Sequence, residues 1–268
     1  MSTVEAICLV GWGAIGQRVA ALLKARGANA RIVGIAVRDP KEVEGTMPEG
    51  AVHVTGPETL AATGATLVIE AASRESVLPF ARAALTAGMD FAVTSTSALV
   101  DVAVLDELVE TARRNGRKLI VPPGALGGID ALSAASRLGL DGVEHVITKP
   151  ARAWLGTPAE ERCRLADLTE AETFFEGSAA EAATAFPQNA NVAATTSLAG
   201  IGVQRTRVRL VADPEATENT HRIHATGAFG KMEICLQNRP LATNPKSSEM
   251  TALNLVRMIE NRTGALVL

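Results

Sequence analysis

Tyrosine is absent from this chain, and phenylalanine and tryptophan bring the aromatics to only 3 % of its 268 residues. Single-stranded nucleic acid is bound by stacking bases on aromatic platforms, so that class of function is a poor match. Clustered lysine and arginine are missing as well. The formal net charge is −3, and no basic run supplies the footprint of a nucleic-acid binder. No apolar run reaches the roughly 18–20 residues that cross a bilayer. The opening "MSTVEAICLVGWG" has no basic leader, so a secretory signal is not expected. Cysteine is sparse: Cys8, Cys163 and Cys235 are odd in number and far apart. They show neither metal-site spacing nor a disulfide framework, which fits a reducing cytoplasm. What remains is ordinary globular composition, 47 % apolar and 21 % charged, enough for one large or two modest domains.

The first segment with a chemical reading is "AICLVGWGAIGQRVAALLKARG". An apolar strand pattern over 6–10 runs into Gly11, Gly13 and Gly16. A helical stripe of Val19, Leu22 and Leu23 follows, closed by Gly27. This is G-x-G-x-x-G between a strand and a helix, the context in which the motif binds a dinucleotide. Gly11 permits the tight turn, Gly13 lets the backbone approach a diphosphate, and Gly16 lets helix and strand pack closely. The amides of the helix's first turn, at Ala14 and Ile15, then face the phosphates. Further strands are expected in "RIVGIAV", "ATLVIEAAS", "DFAVTS" and "RKLIVPPG". Between them lie helices in "SVLPFARAALTAG", with Pro79 in the first turn, and "DVAVLDELVETARRNG", opened by Asp101. Alternating strands and helices of this kind predict an α/β fold whose N-terminal part is a doubly wound parallel sheet of Rossmann type. Ligands collect at the carboxyl ends of such strands. Those ends carry residues 11–15, Arg38, 71–73 with Ala72, 94–97 with Ser95, and 123–125 with Ala125. Arg38 suits a 2′-phosphate or an adenine face and Asp39 a ribose, while a solvated Arg38–Asp39 pair is the plainer reading. Both NAD and NADP therefore stay open.

Beyond "PPGALGGID" the rhythm changes. "GGIDALSAASRLG" reads as a helix and "GVEHVITKPARAW" as a strand that leaves at Pro150. Helical runs in "SAAEAATAFPQNANVAATTSLAGIG" break at Pro187. "RTRVRLVAD", "THRIHATG" and "GKMEICLQN" read as strands, the last with strict alternation. The second part is thus an α+β domain with a mixed or antiparallel sheet. The expected bounds are 1–121 for the dinucleotide domain and 122–240 for the second. An amphipathic helix over 245–268 is expected to pack back on the first, and a cleft between the two domains is the expected active site.

The blocks "VGWGAIG", "PPGALGGIDAL", "ITKPARAW", "FPQNANVAATTSLAGIG", "THRIHATGAFG" and "NPKSSEMTALNLVR" together resemble the L-aspartate dehydrogenase family over nearly the whole chain. The glycine fingerprint is generic; the block 187–202 and "NPKSSEMTA" are specific. The resemblance implies an NAD- or NADP-dependent enzyme that interconverts L-aspartate with iminoaspartate or oxaloacetate and ammonia. It implies Ala125 and Asn191 as contacts of the nicotinamide half and His221 as the catalytic histidine. Independently, oxidising an amino acid requires a base for the ammonium proton and a water that attacks the imine, work an imidazole performs. A strand-end histidine is more often structural, and the family likeness is what singles out His221. His224, His53 and His145 keep the structural reading. A dicarboxylate needs cations. Lys149, with Arg152 near it, and Lys246, with Ser247 beside it at the expected start of the last helix, are candidates, as is Asn189. A solvated rim for Lys149 and Arg152, and a helix cap for Asn189, are the competing explanations. Two alternatives keep the architecture: another imine or amino-acid oxidoreductase such as dihydrodipicolinate reductase or homoserine dehydrogenase, and a non-catalytic dinucleotide sensor. A homodimer is expected, with no metal, no nucleic acid and no membrane partner. The direction, towards pyridine nucleotide biosynthesis or ammonia assimilation, stays open.

Overall fold

The computed structural model describes residues 4–268, apart from the side chains of Gln188, Pro245 and Lys246. The chain divides into two compact units. One runs to Gly124 and takes back Thr251–Leu268; the other is Ala125–Met250.

In the first unit β1 (Glu5–Val10) leads through a glycine turn into α1 (Ala14–Arg26), and β2 (Ala30–Ala36) follows. Then come β3 (Val52–Val54), β4 (Leu67–Glu70), α2 (Arg74–Thr86), β5 (Asp90–Val93), α3 (Val102–Arg114) and β6 (Leu119–Ile120). The strands form one parallel sheet in the order β3-β2-β1-β4-β5-β6. The order reverses beside β1, so the glycine turn sits at the crevice where such sheets bind ligands. All of β4 and β5 is buried, which is why these strands are apolar apart from Glu70 and Asp90 at their ends. Ile7, Leu9, Ile35, Leu67 and Ile69 pack into one cluster with Val19 and Leu23 of α1. Trp12, 6 % exposed, joins that cluster, and its indole N–H donates to Thr46 Oγ1 at 2.9 Å.

Helix α2 begins at Arg74, with Ser73 as its N-cap residue, so Pro79 stands in the helix interior rather than in its first turn. Proline there leaves the carbonyl of Glu75 without its intrahelical donor. Glu75 is exposed, so its carbonyl need not be satisfied within the protein and the helix continues.

The second unit contains α4 (Ile129–Ala135), β7 (Leu140–Pro150), β8 (Glu172–Ser178), α5 (Ala179–Ala185) and α6 (Ala190–Ala199). It continues with β9 (Arg207–Asp213), β10 (Asn219–Gly227), β11 (Gly230–Asn238), β12 (Pro240–Leu241) and β13 (Asn244–Ser248). Its main sheet has the order β11-β10-β7-β9-β8, with β7 and β9 parallel and the other neighbours antiparallel. Four of the chain's few aromatics gather beneath it. Trp154, fully buried, meets Phe174 and Phe186 edge-on at 4.7 Å and 6.5 Å between ring centroids, and Phe175 lies 5.3 Å from Phe186. The buried indole N–H of Trp154 donates to the Val211 carbonyl at 3.0 Å. Strand β8 carried no clear periodicity in the sequence, because adjacent Phe174 and Phe175 are both buried at a register shift against β9.

The end of the chain departs from expectation. The sequence pattern predicts a helix over 245–268, but 244–248 is the strand β13, paired with β12, and α7 spans Glu249–Thr263. Pairing with β12 takes 244–248 into a ladder instead of a first helical turn. Ser248 Oγ then accepts from the Met250 N–H at 3.2 Å, as a cap does. Ala252, Leu255, Val256 and Ile259 of α7 join the β1 cluster of the first unit. Arg262 fixes the far end: its guanidinium donates to Glu5 at 3.0 Å and to Asp90 at 2.8 Å. These acids open β1 and β5, and the three side chains are 22 %, 9 % and 12 % exposed. Removing one partner from such a desolvated set leaves the others uncompensated. Arg262→Ala should therefore lower stability by about 2–3 kcal/mol, read as a shifted urea midpoint. An unchanged midpoint would mean that the two carboxylates are adequately hydrated without it.

Candidate functional site

The three glycines of the turn differ in what a side chain would meet. At Gly11 the backbone has φ +97°, and a Cβ would lie 2.7 Å from the Ala71 carbonyl oxygen. At Gly16 a Cβ would lie 2.8 Å from the Gly11 carbonyl oxygen. Both are closed by the protein's own backbone. At Gly13 a Cβ meets nothing within 4 Å. This residue is the N-cap of α1 and has no side-chain cap bond, and the first turn of the helix carries no acid. Uncapped amides at Ala14 and Ile15, without a carboxylate to repel an anion, fit a diphosphate.

Neighbouring loops are organised by a residue whose role the sequence reading missed. Glu70 ends β4 and is fully buried. Its carboxylate accepts from the Ala72 N–H at 2.8 Å, the Ser95 N–H at 2.9 Å and the Ser95 hydroxyl at 2.9 Å. Burial raises its proton affinity, and the bonds from Ser95 and Ala72 pull it back. Ala72 and Ser95, both expected to line the dinucleotide site, are thus tied to one side chain. The only signal was an acid at the end of a wholly apolar strand. Arg38 is exposed just past β2, while Asp39 accepts from the Lys41 N–H at 3.0 Å and caps a short 3₁₀ turn.

Where the chain passes from one unit to the other, two asparagines hold consecutive carbonyls. Asn254 donates to the Gly124 oxygen at 2.8 Å and Asn238 to the Ala125 oxygen at 2.7 Å. Ala125 is half-buried in this loop, and Asn191 is exposed near the start of α6.

The second unit brings together Lys149, Asn189 and His221. Residues His145, Ile147 and Lys149 alternate onto one face of β7, and His221 and Ile223 onto the same face of β10. His221 is 5 % exposed and His145 is fully buried. Nδ1 of His221 lies 3.2 Å from Nε2 of His145. The Lys149 ammonium donates to Oδ1 of Asn189 and sits 4.9 Å from the centre of the Trp154 ring. Burial brings the Lys149 pKa down to about 8. His221 is brought down to about 3, by burial first and by the Lys149 charge second. His145 is held well below its ordinary value, by burial and then by His221. Lys149 is therefore an anchored, partly desolvated cation and not a solvated rim. Asn189 spends its side-chain oxygen on that cation rather than on a helix cap, and it forms no side-chain cap bond. Arg152 is exposed, and His224 stands on the opposite row of β10. Ser247 is half-buried on β13, two residues before α7, and the Lys246 side chain lies outside the described residues. Among the described residues no group of three or more potential metal ligands comes together.

Comparison with known proteins adds two family models and close relatives. The model described as aspartate dehydrogenase, C-terminal, matches residues 130–262, and that of the homoserine dehydrogenase NAD binding domain matches residues 11–122. An L-aspartate dehydrogenase of Brucella anthropi is 60 % identical over 268 residues, covering 100 % of both chains. One from Cupriavidus taiwanensis is 44 % identical over 97 % of this chain and 98 % of its own. The crystal structure of aspartate dehydrogenase from Thermotoga maritima superposes with a TM-score of 0.80 at 25 % identity, covering 100 % of this chain and 99 % of that one.

Two predictions follow from this geometry. Gly13→Ala should keep stability within about 1 kcal/mol yet weaken NADH or NADPH binding at least about tenfold, because the methyl occupies the diphosphate's space. Gly11→Ala should instead destabilise by about 1–3 kcal/mol. Fluorescence titration and urea unfolding separate the two, and equal cofactor affinity in Gly13→Ala would refute the assignment. The second concerns acid. Below the ordinary histidine value of 6.5, the unfolded chain protonates both rings while the folded protein does not, so stability falls as pH drops from about 7.5 to 5.5. Each ring contributes roughly 1 kcal/mol to that loss. His221→Asn should show a loss smaller by about that amount, and an identical loss would contradict the buried neutral state.

Proposed function

The chain belongs to the aspartate dehydrogenase family, and on that premise we propose that it catalyses the reversible NAD(P)-dependent oxidative deamination of L-aspartate. The product is iminoaspartate, which water converts to oxaloacetate and ammonia. The cofactor, when bound, accepts or returns the hydride at the substrate's Cα. The open side of Gly13 and the amides of Ala14 and Ile15 hold its diphosphate, with Gly11 and Gly16 shaping the turn. Arg38 attends the adenosine end, and the loops of Ala72 and Ser95 line the sheet's carboxyl edge. Ala125 and Asn191 take the nicotinamide half. Lys149, aimed by Asn189, receives a substrate carboxylate, and Lys246 and Ser247 are secondary candidates for the other.

His221 handles the proton of the amino group and then the proton of the attacking water. The observation that carries this reading is the buried His221 imidazole, on the same sheet face as the Lys149 ammonium and 3.2 Å from His145. In the free protein desolvation first, and the Lys149 charge second, suppress the imidazolium. A carboxylate on Lys149 neutralises the suppressing charge, so the base strengthens when substrate is present. Burial brings the Lys149 proton to the point of loss at about pH 8 in the free protein, and a bound carboxylate raises that value, so the pair persists into the alkaline range. The reading extends to a cytoplasmic homodimer serving pyridine nucleotide biosynthesis. No helix among the described residues is long and apolar enough to cross a membrane. The outer row of β11, with Lys231, Glu233, Cys235 and Gln237 all exposed, supports pairing through that sheet.

Purified protein should reduce NAD or NADP with L-aspartate at alkaline pH. His221→Ala should lose about 10²–10⁴-fold in kcat with cofactor affinity retained. Failure of aspartate oxidation, together with failure of oxaloacetate plus ammonia to oxidise NADH or NADPH, would reject the activity.

A further inference from the structure

We propose that His145 and Thr196 are positioning residues that hold His221 in one tautomer, with hydrogen on Nδ1 and the Nε2 lone pair bare. This role rests on the catalytic reading of His221 above. The geometry behind it is a chain of three contacts inside the second unit. Strands β7 and β10 are antiparallel with His221 opposite Ile147 and His145 opposite Ile223, so the two imidazoles are diagonal neighbours on one face. Their centroids are 5.4 Å apart. From His221 Nδ1 the chain runs 3.2 Å to His145 Nε2. From His145 Nδ1 it runs 2.9 Å to Thr196 Oγ1 on α6. Thr196 Oγ1 in turn lies 3.0 Å from the Val192 carbonyl oxygen, one helical turn back.

The direction of every hydrogen follows from that last contact. A carbonyl oxygen has no hydrogen to give, so two oxygens at this separation are held together only by the threonine hydroxyl proton. A hydroxyl has one proton, and donation to Val192 uses it. Oγ1 is then an acceptor towards His145, whose Nδ1 must carry hydrogen. A neutral imidazole has a single N–H, so His145 Nε2 is bare and accepts from His221 Nδ1–H. The remaining nitrogen of His221, Nε2, is the one left with a lone pair. Burial keeps both rings neutral, so the chain is not scrambled by a second proton. Lys149, the charged group that also acts on His221, disfavours a second proton there.

The consequence for chemistry is specific. A base that must accept a proton from an ammonium or from water needs the lone pair presented, and the opposite tautomer would present a hydrogen instead. When Nε2 takes the proton, the Nδ1–H bond to His145 becomes charge-assisted and strengthens. No proton passes along the chain; Thr196 and His145 only orient it, as outer partners do for metal-bound histidines.

The test uses full-length protein labelled with ¹⁵N-histidine at pH 7.5. Two-bond ¹H–¹⁵N spectra should show both His145 and His221 as Nδ1–H tautomers, the rarer form of free neutral imidazole. Thr196→Val, which removes the hydroxyl at nearly constant volume, should convert His221 towards Nε2–H and lower kcat about 10–100-fold with little change in KM for aspartate. Thr196→Ser should restore most of the rate and the Nδ1–H signal. An Nε2–H tautomer on wild-type His221 overturns the proposal even if Thr196→Val fails to fold, and so does a Thr196→Val enzyme of full activity. Undiminished turnover in His221→Ala, even with the Nδ1–H pattern present in the wild type, instead overturns the catalytic reading and the positioning role that depends on it.

Discussion

A polar group taken out of water must find its partner inside the protein, and the parts of this molecule that matter for function are held by that demand. Glu70 and His145 are both fully buried, and each meets it by gripping something mobile by nature. Glu70 draws the backbone of Ala72 and Ser95 onto its carboxylate, so two loops at the sheet's carboxyl edge share one anchor. His145 draws a second imidazole and a helix hydroxyl. An unmade bond at either place costs about 1–3 kcal/mol or more, while a surface ion pair such as Arg82–Glu107 is worth little. Loop order is therefore a by-product of desolvation.

The same accounting explains how the turn and the base are made stiff without bulky side chains. Gly11 and Gly16 are closed by backbone oxygens and Gly13 is not, so three identical residues have three different neighbourhoods. In the second unit, stiffness comes from the sheet. His221 belongs to β10, flanked by β11 and by the central strand β7 that carries His145 and Lys149, and α6 supplies Thr196. A base mounted on an internal strand moves less than one mounted on a loop.

Much of the first unit was legible because each local signal agreed with the next. Apolar strands, the glycine spacing and the caps at Asp101 and Gly27 all indicate the same parallel sheet. The break at Pro187 and the alternation of β11 were legible for the same reason. What the sequence hid is whatever depends on partners distant in the chain. His145 looks like an apolar-strand residue until β10 is laid beside it, 76 positions away. Glu70 looks anomalous until Ser95 arrives from the next strand. The helix expected over 245–268 is present but starts at Glu249, because "NPKSS" has polar residues suited equally to a cap or a hairpin, and pairing with β12 decides between them. Pro79 misled in the opposite direction: a helix with an exposed carbonyl one turn back tolerates it.

With tyrosine absent and tryptophan present only as Trp12 and Trp154, the protein carries one indole in each unit. Its ultraviolet emission consequently comes from two indoles without a phenolic background. Trp12 stands beside the glycine turn and Trp154 beneath the Lys149 ammonium, so replacing either one leaves a lamp that reports on a single half of the molecule.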